Sequence, residues 1–326
     1  MRMNADKIKT LMNEAGSEGC PFLFAIDFEV QDGLFVANPM EQSDVLFRTP
    51  HGSNVSVEDI YRNKRYGSFV ANPIPYVEYK RRFDVVMAGL KRGDSFLTNL
   101  TVKTPVSTDF TFDEIFMMST SPYALLLPGK FVCFSPERFV KIADGCISTN
   151  PMKGTISADI PDAEQLILSD KKETAEHYTI VDLLRNDLSI VATGVHVERF
   201  RYVERINTGK INILQVSSEI VGKLNEGYSS HLGDIIFGMF PAGSVSGAPK
   251  KATVDIIRNA EQETRGYYTG VFGYFDGVEL DTAVLIRFIE KKDGQLFFRS
   301  GGGITVYSDA ESEYNETLEK IYLPFL

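Results

Sequence analysis

The stretch YALLLPGKFVCFSPERFVKIADGCIST (123–149) decides the fold class. Its short apolar runs are separated by turn signals at Pro128-Gly129 and Ala143-Asp144-Gly145, which reads as a β meander. Downstream, YYTGVFGYFDGVELDTAVLIRFIEKKDGQLFFRSGGGITV (267–306) reads as a second meander, punctuated by Asp276-Gly277 and Asp293-Gly294. Between the two lie helical segments at about Asp170–Leu188, Leu232–Phe240 and Ala248–Asn259, and a last helix runs from Ser308-Asp309 to about Tyr322. Upstream, Phe83, Val86, Met87 and Leu90 fall at i, i+3, i+4 and i+7 and predict a helix over Tyr79–Lys91, with Gly93 as its stop. Pro21–Pro39 reads as two strands around Gln31-Asp32-Gly33, and residues 40–72 are polar and irregular with no assigned element. Strand groups separated by helical groups predict an α+β fold with antiparallel sheets, not alternating βαβ units.

Composition narrows the function. The 326 residues are 43% hydrophobic and 24% charged, as expected of a globular chain. The formal charge of −10 repels a phosphate backbone, so no nucleic-acid partner is expected. The longest apolar runs, Pro21–Ile26 and Tyr123–Leu127, are far too short for a membrane span, and the N-terminus carries no signal-peptide core. Cys20, Cys133 and Cys146 have no close spacing and suit reduced thiols in a cytoplasm. With only four scattered histidines, a zinc site is not expected. AGSVSGAPK (242–250) has the wrong spacing for a phosphate loop, and HExxH and GxSxG are absent. No linker is evident from Met40 onward, which points to one compact unit.

Two pairs of glutamates stand out. Glu173 and Glu176 are three apart on a helix, and their face continues through Ile180 and Leu184, so both carboxylates extend the inward apolar stripe. Glu313 and Glu316 repeat the spacing on the last helix, with Lys320 four residues on. A lone pair of this kind is usually a solvated helix face. Inward carboxylates, however, need a cation or a proton, and four of them make a hard-oxygen set of the kind Mg²⁺ accepts.

The segments SDKKETAEHYTIVDLLRNDLS (169–189), FPAGSVSGAPKKA (240–252), TRGYYTGVFGYFD (264–276) and SGGGITVYSDAESEYNETLEK (300–320) resemble the chorismate-binding enzymes. The resemblance runs from about Pro73 to the C-terminus. It implies a catalytic domain over 73–326, with 1–72 as an N-terminal β-containing segment packed on it. It also implies two large antiparallel sheets packed together with helices outside. Position by position, it makes Glu173, Glu176, Glu313 and Glu316 ligands of Mg²⁺, and Arg287 and Tyr268 binders of a chorismate carboxylate. It makes Gly301 a close backbone approach to substrate, and sets Ser244, Thr155 and Lys320 beside it. Gln215 stands where the family commonly has His in a His-Leu-x-Ser segment. Glutamine can donate a hydrogen bond but cannot carry a proton charge.

Two positions distinguish the chemistries of the family. Isochorismate and salicylate synthases have a water-activating lysine in the segment that reads GDSFLTNLT (93–101) here, and Leu97 occupies its place. In NPMKGT (150–155), Lys153 resembles the lysine nucleophile of aminodeoxychorismate synthases, where anthranilate, isochorismate and salicylate synthases have Ala. Glu137 matches the family's general acid. The resemblance therefore implies a component I of aminodeoxychorismate synthase: chorismate plus ammonia to 4-amino-4-deoxychorismate, for 4-aminobenzoate and folate. The ammonia would come from a separate glutamine amidotransferase subunit. A lysine nucleophile needs a lowered pKa and a general acid a raised one. Anthranilate synthase component I is the nearest alternative, and an inactive chorismate-binding regulatory subunit is the alternative of another class.

Overall fold

A computed structural model describes residues 3–56, 66–207 and 212–325. Among the described residues the strands form two antiparallel sheets, of ten and nine strands. One core lies between the sheets, where Leu23, Leu125, Phe131, Phe272 and Phe288 meet. Helices cover the outer faces. Ala5–Glu18, Lys171–Ser189 and Leu232–Gly238 pack on the ten-stranded sheet, while Tyr76–Arg92, Phe112–Met118, Lys250–Glu261 and Ala310–Glu319 pack on the nine-stranded one. The expected α+β architecture, with two packed sheets and helices outside, is what the chain adopts. Burial on both faces explains why Phe22–Ile26 and Tyr123–Leu127 are apolar throughout rather than alternating.

Neither expected meander stays in one sheet. Tyr123–Leu127 and Phe131–Ser135 belong to the nine-stranded sheet, whereas Arg138–Ala143 and Cys146–Thr149 belong to the ten-stranded one. The second stretch crosses in the opposite sense. Val271–Phe275 and Leu280–Val284 lie in the ten-stranded sheet, and Phe288–Lys292 and Gln295–Ile304 in the nine-stranded one. The two crossings run side by side. The Val284 amide donates to the Glu137 carbonyl at 3.2 Å and the Phe134 amide to the Arg287 carbonyl at 3.0 Å. Pro136 has no amide to continue a ladder, and Arg287 takes a left-handed conformation (φ 52°) that turns the chain out of its first sheet.

Several further elements were not assigned from the sequence. The helix Ala5–Glu18 is capped by Asn4, which accepts from the Asp6 amide, and ends at Gly19 (φ 65°). A long hairpin joins Thr193–Asn207 to Asn212–Lys223. Within residues 40–72, Leu46–Thr49, Gly52–Ser53 and Phe69–Ala71 join the nine-stranded sheet. The first 72 residues thus supply strands to both sheets, because Phe22–Ile26 also pairs with Val271–Phe275. The helix expected over Tyr79–Lys91 spans Tyr76–Arg92 and stops at Gly93 (φ 82°).

Candidate active site

Both crossings open onto one cavity of about 260 Å³. Its lining includes Glu137, Lys153, Gln215, Ser244, Tyr268, Arg287, Gly301, Glu316 and Lys320. The Glu137 carboxyl sits at the first crossing, where the Ser244 hydroxyl donates to its Oε1 at 2.6 Å. Burial raises its pKa, outweighing Ser244 and the positive charges of Arg287, Lys153 and Lys320 that act to lower it. A carboxyl in that setting holds its proton to higher pH than an exposed one does. The segment that carries Ser244 is anchored to the helix Lys171–Ser189. Lys250, at the end of AGSVSGAPK, pairs with the buried Asp187 at 3.0 Å. Gly243 must lack a side chain there, since a Cβ would lie 2.4 Å from Asp187 Oδ2.

The inward register of the first glutamate pair is present. Ile180 and Leu184 are buried and line the cavity, and Asp170 caps the helix by accepting from the Glu173 amide at 2.9 Å. Asp309 caps the last helix in the same way, through the Glu311 and Ser312 amides. Each carboxylate pair therefore begins in or near a first turn, where the helix dipole favours negative charge. Glu313 is buried, and its Oε2 comes within 3.5 Å of a Cβ built at Gly302, as does Lys320 Nζ. Lys320 donates to the Gly301 carbonyl at 2.8 Å and pairs with Glu316 at 2.8 Å.

Lys153 lies on the strand Met152–Ser157 and donates to Glu176 Oε2 at 2.6 Å. Its pKa departs from expectation. Burial lowers it, but Glu176, Glu316 and Glu173 together outweigh burial and raise it. The ammonium of Lys153 thus compensates the carboxylates in this structure. Among the described residues, no three His, Cys, Asp or Glu side chains are gathered into a ready ligand cluster. The donor chemistry nevertheless fits a hard divalent cation, with Glu173, Glu176 and Glu316 around one cationic centre.

Four expected site residues, Thr155, Glu173, Glu176 and Glu313, are not among those lining the cavity, although Glu176 reaches it through its bond with Lys153. Thr155 is exposed and pairs across the sheet with Gln215. The register shifts between Met152 and Thr155, and Gly154 has φ 80°, so the strand's alternation breaks just after Lys153. Tyr268 is buried against Phe288, and burial pushes its hydroxyl up to about 12. Arg287 lies over the Tyr322 ring, 5.6 Å from its centroid.

Sequence reading missed several residues that shape this cavity. Asn99 lines it, and its buried Oδ1 has no hydrogen-bond partner. Arg138 also lines it, donating to Asn150 at 2.9 Å and pairing with the fully buried Asp281 at 3.0 Å. Arg265 is buried behind the wall and donates to the carbonyls of Val245 and Asn99 at 2.8 and 2.7 Å. His177, next to Glu176, is buried with its Nε2 2.7 Å from the Ser218 hydroxyl, and burial drops its pKa to about 4. The available signal was position alone, since Asn99 shares a strand face with Leu97 and Arg265 sits in a quoted motif. No helix among the described residues is long and apolar enough to cross a membrane.

Comparison with known proteins gives the site a family. The chain is 48% identical over 319 residues to an uncharacterized PabA-like protein of Haemophilus influenzae, covering 96% of this chain and 94% of that one. It is 40% identical over 215 residues to anthranilate synthase component 1 of Aquifex aeolicus, covering 62% of this chain and 42% of that protein. It is 34% identical over 261 residues to aminodeoxychorismate synthase component 1 of Salmonella typhimurium, covering 75% and 56%. It therefore spans about half the length of these two synthases. In fold, it matches the menaquinone-specific isochorismate synthase MenF of Escherichia coli with a TM-score of 0.74 at 15% identity, over 98% of this chain and 82% of that one. The family model for chorismate binding enzymes matches residues 58–324, beginning upstream of the expected Pro73. With that match spanning most of its length and both crossings, the chain belongs to the chorismate-binding enzymes.

Proposed function

We propose that this chain aminates chorismate with ammonia to 4-amino-4-deoxychorismate, through a covalent intermediate on Lys153. The observation that carries the reading is the placement of a lysine and a proton-holding carboxyl, Lys153 and Glu137, on the wall of one cavity. Arg287 and Tyr268 bind a ring carboxylate, the guanidinium by two parallel hydrogen bonds. The Lys153 amine adds to the ring while Glu137 protonates the departing hydroxyl, which leaves as water. Ammonia then attacks the carbon that lost the hydroxyl and expels the lysine amine. The sum is chorismate plus ammonia to aminodeoxychorismate plus water, with one difficult displacement divided into two easier ones.

Glu173, Glu176, Glu313 and Glu316 would hold Mg²⁺, whose charge neutralises the carboxylates that raise the Lys153 pKa and binds an anionic ring substituent. Gln215 lines the cavity as a neutral hydrogen-bond donor. It offers no titratable base for the ring-proton removal that aromatisation requires, which favours a product that keeps its enolpyruvyl group. Ammonia is supplied by a separate glutamine amidotransferase subunit, and the product serves 4-aminobenzoate and folate synthesis in the cytoplasm.

The test is product analysis after incubation with chorismate, Mg²⁺ and ammonium. The expected product retains its side chain, with no stoichiometric pyruvate, and EDTA abolishes turnover until Mg²⁺ is restored. Pyruvate equal to chorismate consumed, with anthranilate fluorescence, would transfer the chain to anthranilate synthase. No turnover with either ammonium or a glutamine amidotransferase would favour a regulatory subunit.

A further inference from the structure

We propose that the Asn99 side-chain carbonyl is the acceptor that holds the incoming ammonia as neutral NH₃. The inference rests on the amination reading above and deepens it. Asn99 is 9% exposed, lines the cavity, and its Oδ1 is buried without a hydrogen-bond partner. Buried polar atoms in folded proteins are nearly always paired, so an orphaned acceptor on a residue that lines the cavity marks the place of a ligand's donor.

The surroundings fix the main chain that carries that orphan. Arg265 donates to the Asn99 main-chain carbonyl at 2.7 Å, and Asn99 faces Gly303 across the strand pair. The same guanidinium holds the Val245 carbonyl, next to Ser244, at 2.8 Å, so Asn99 and the hydroxyl bonded to Glu137 are fixed by one group.

Three other acceptors of the cavity already have partners. Glu137 Oε1 accepts from Ser244, Glu176 Oε2 from Lys153, and the Gly301 carbonyl from Lys320. The chemistry of the nucleophile selects among acceptors. Ammonia must keep its lone pair free for the ring carbon, so the protein can hold it only through its N–H donors. A carboxylate would favour the ammonium form, which has no lone pair. A neutral carbonyl accepts an N–H without stabilising that charge to the same extent.

The experiment is steady-state kinetics of the full chain with Mg²⁺, varying ammonium and chorismate separately, for wild type, Asn99→Leu and Asn99→Asp. Asn99→Leu removes the acceptor at similar volume. It is expected to raise the KM for ammonia by about ten- to a hundredfold, the scale of one buried hydrogen bond, with the KM for chorismate within about threefold of wild type. Asn99→Asp keeps the shape but adds charge, and is expected to move the ammonia-dependent rate to higher pH. It also provides the readout if Asn99→Leu does not fold. A rise in the chorismate KM with the ammonia KM unchanged would assign the Oδ1 to a substrate hydroxyl and overturn the proposal. Unchanged constants, or an Asn99→Asp pH profile equal to wild type, would overturn it as well. If wild type itself does not aminate chorismate, the amination reading is what has failed.

Discussion

Two cation–glutamate pairs in this molecule have the same length and opposite characters. Arg265 Nη2 and Glu261 Oε1 are 2.6 Å apart, and so are Lys153 Nζ and Glu176 Oε2. The first pair is 1% exposed on both sides, whereas the second is 35% and 26% exposed. Arg265 also bonds the Val245 and Asn99 carbonyls, while Glu261 accepts from the Thr101 amide and hydroxyl at 2.8 and 2.9 Å. Lys153 can donate three hydrogen bonds, and Glu176 is the only acceptor it meets among the described residues. The contrast teaches that distance does not distinguish a structural ion pair from an exchangeable one. Saturation and access do. A buried pair with every lone pair and proton engaged resists change, because removing one partner strands a charge. A pair at a cavity wall can trade its partner for a substrate or a cation.

Substitutions can break that contrast. Lys153→Ala is expected to lower ammonia-dependent turnover by roughly 10²–10⁴-fold, the scale on which groups acting at the reacting atoms contribute. Its thermal midpoint should stay close to wild type. A large loss of stability with catalysis intact would reverse the roles assigned to the two pairs. Arg265→Met should do the opposite, costing about 3–5 kcal/mol of folding stability by leaving Glu261 charged and buried. Denaturant titration measures this, and adding Glu261→Leu should recover part of the loss. If Arg265→Met unfolds no earlier than wild type, the saturated network does not carry the stability placed on it.

A smaller effect sharpens the cavity side. The Ser244 hydroxyl favours the ionised form of Glu137, against the burial that raises its pKa. Ser244→Ala should therefore raise that pKa further, keep the acid protonated to higher pH, and move the alkaline limb of the kcat profile upward. A limb that stays put or moves down would show that Glu137 is not the group reporting there.

The sequence made local patterns legible and left their partners hidden. The helix Tyr76–Arg92 was readable because its buried positions Tyr79, Phe83, Val86 and Leu90 repeat with helical period. Four of the strands around Glu137 were readable from their turns, yet their division between two sheets was not. Sheet membership depends on partners far along the chain, such as Arg138–Ala143 beside Leu280–Val284. The hairpin of Thr193–Asn207 escaped because much of it is exposed and only a few of its apolar residues, such as Val195 and Val197, pack on the core. The first glutamate pair showed its inward register through Ile180 and Leu184. The raised pKa of Lys153 did not show, because it arises from carboxylates on two helices distant in sequence. Asn99 and Arg265 gave no local signal, since what marks them is a missing partner in one case and a saturated set in the other.

The central claim is that Lys153 is a nucleophile, and intact-protein and peptide mass spectrometry test it most directly. With chorismate and Mg²⁺ present and ammonia withheld, wild type is expected to gain the mass of chorismate less one water, located on the peptide containing Asn150–Thr155. Added ammonium should discharge it as aminodeoxychorismate, and Lys153→Ala should never acquire it. Full ammonia-dependent turnover by Lys153→Ala, or an adduct mapped to any other residue, would contradict the account.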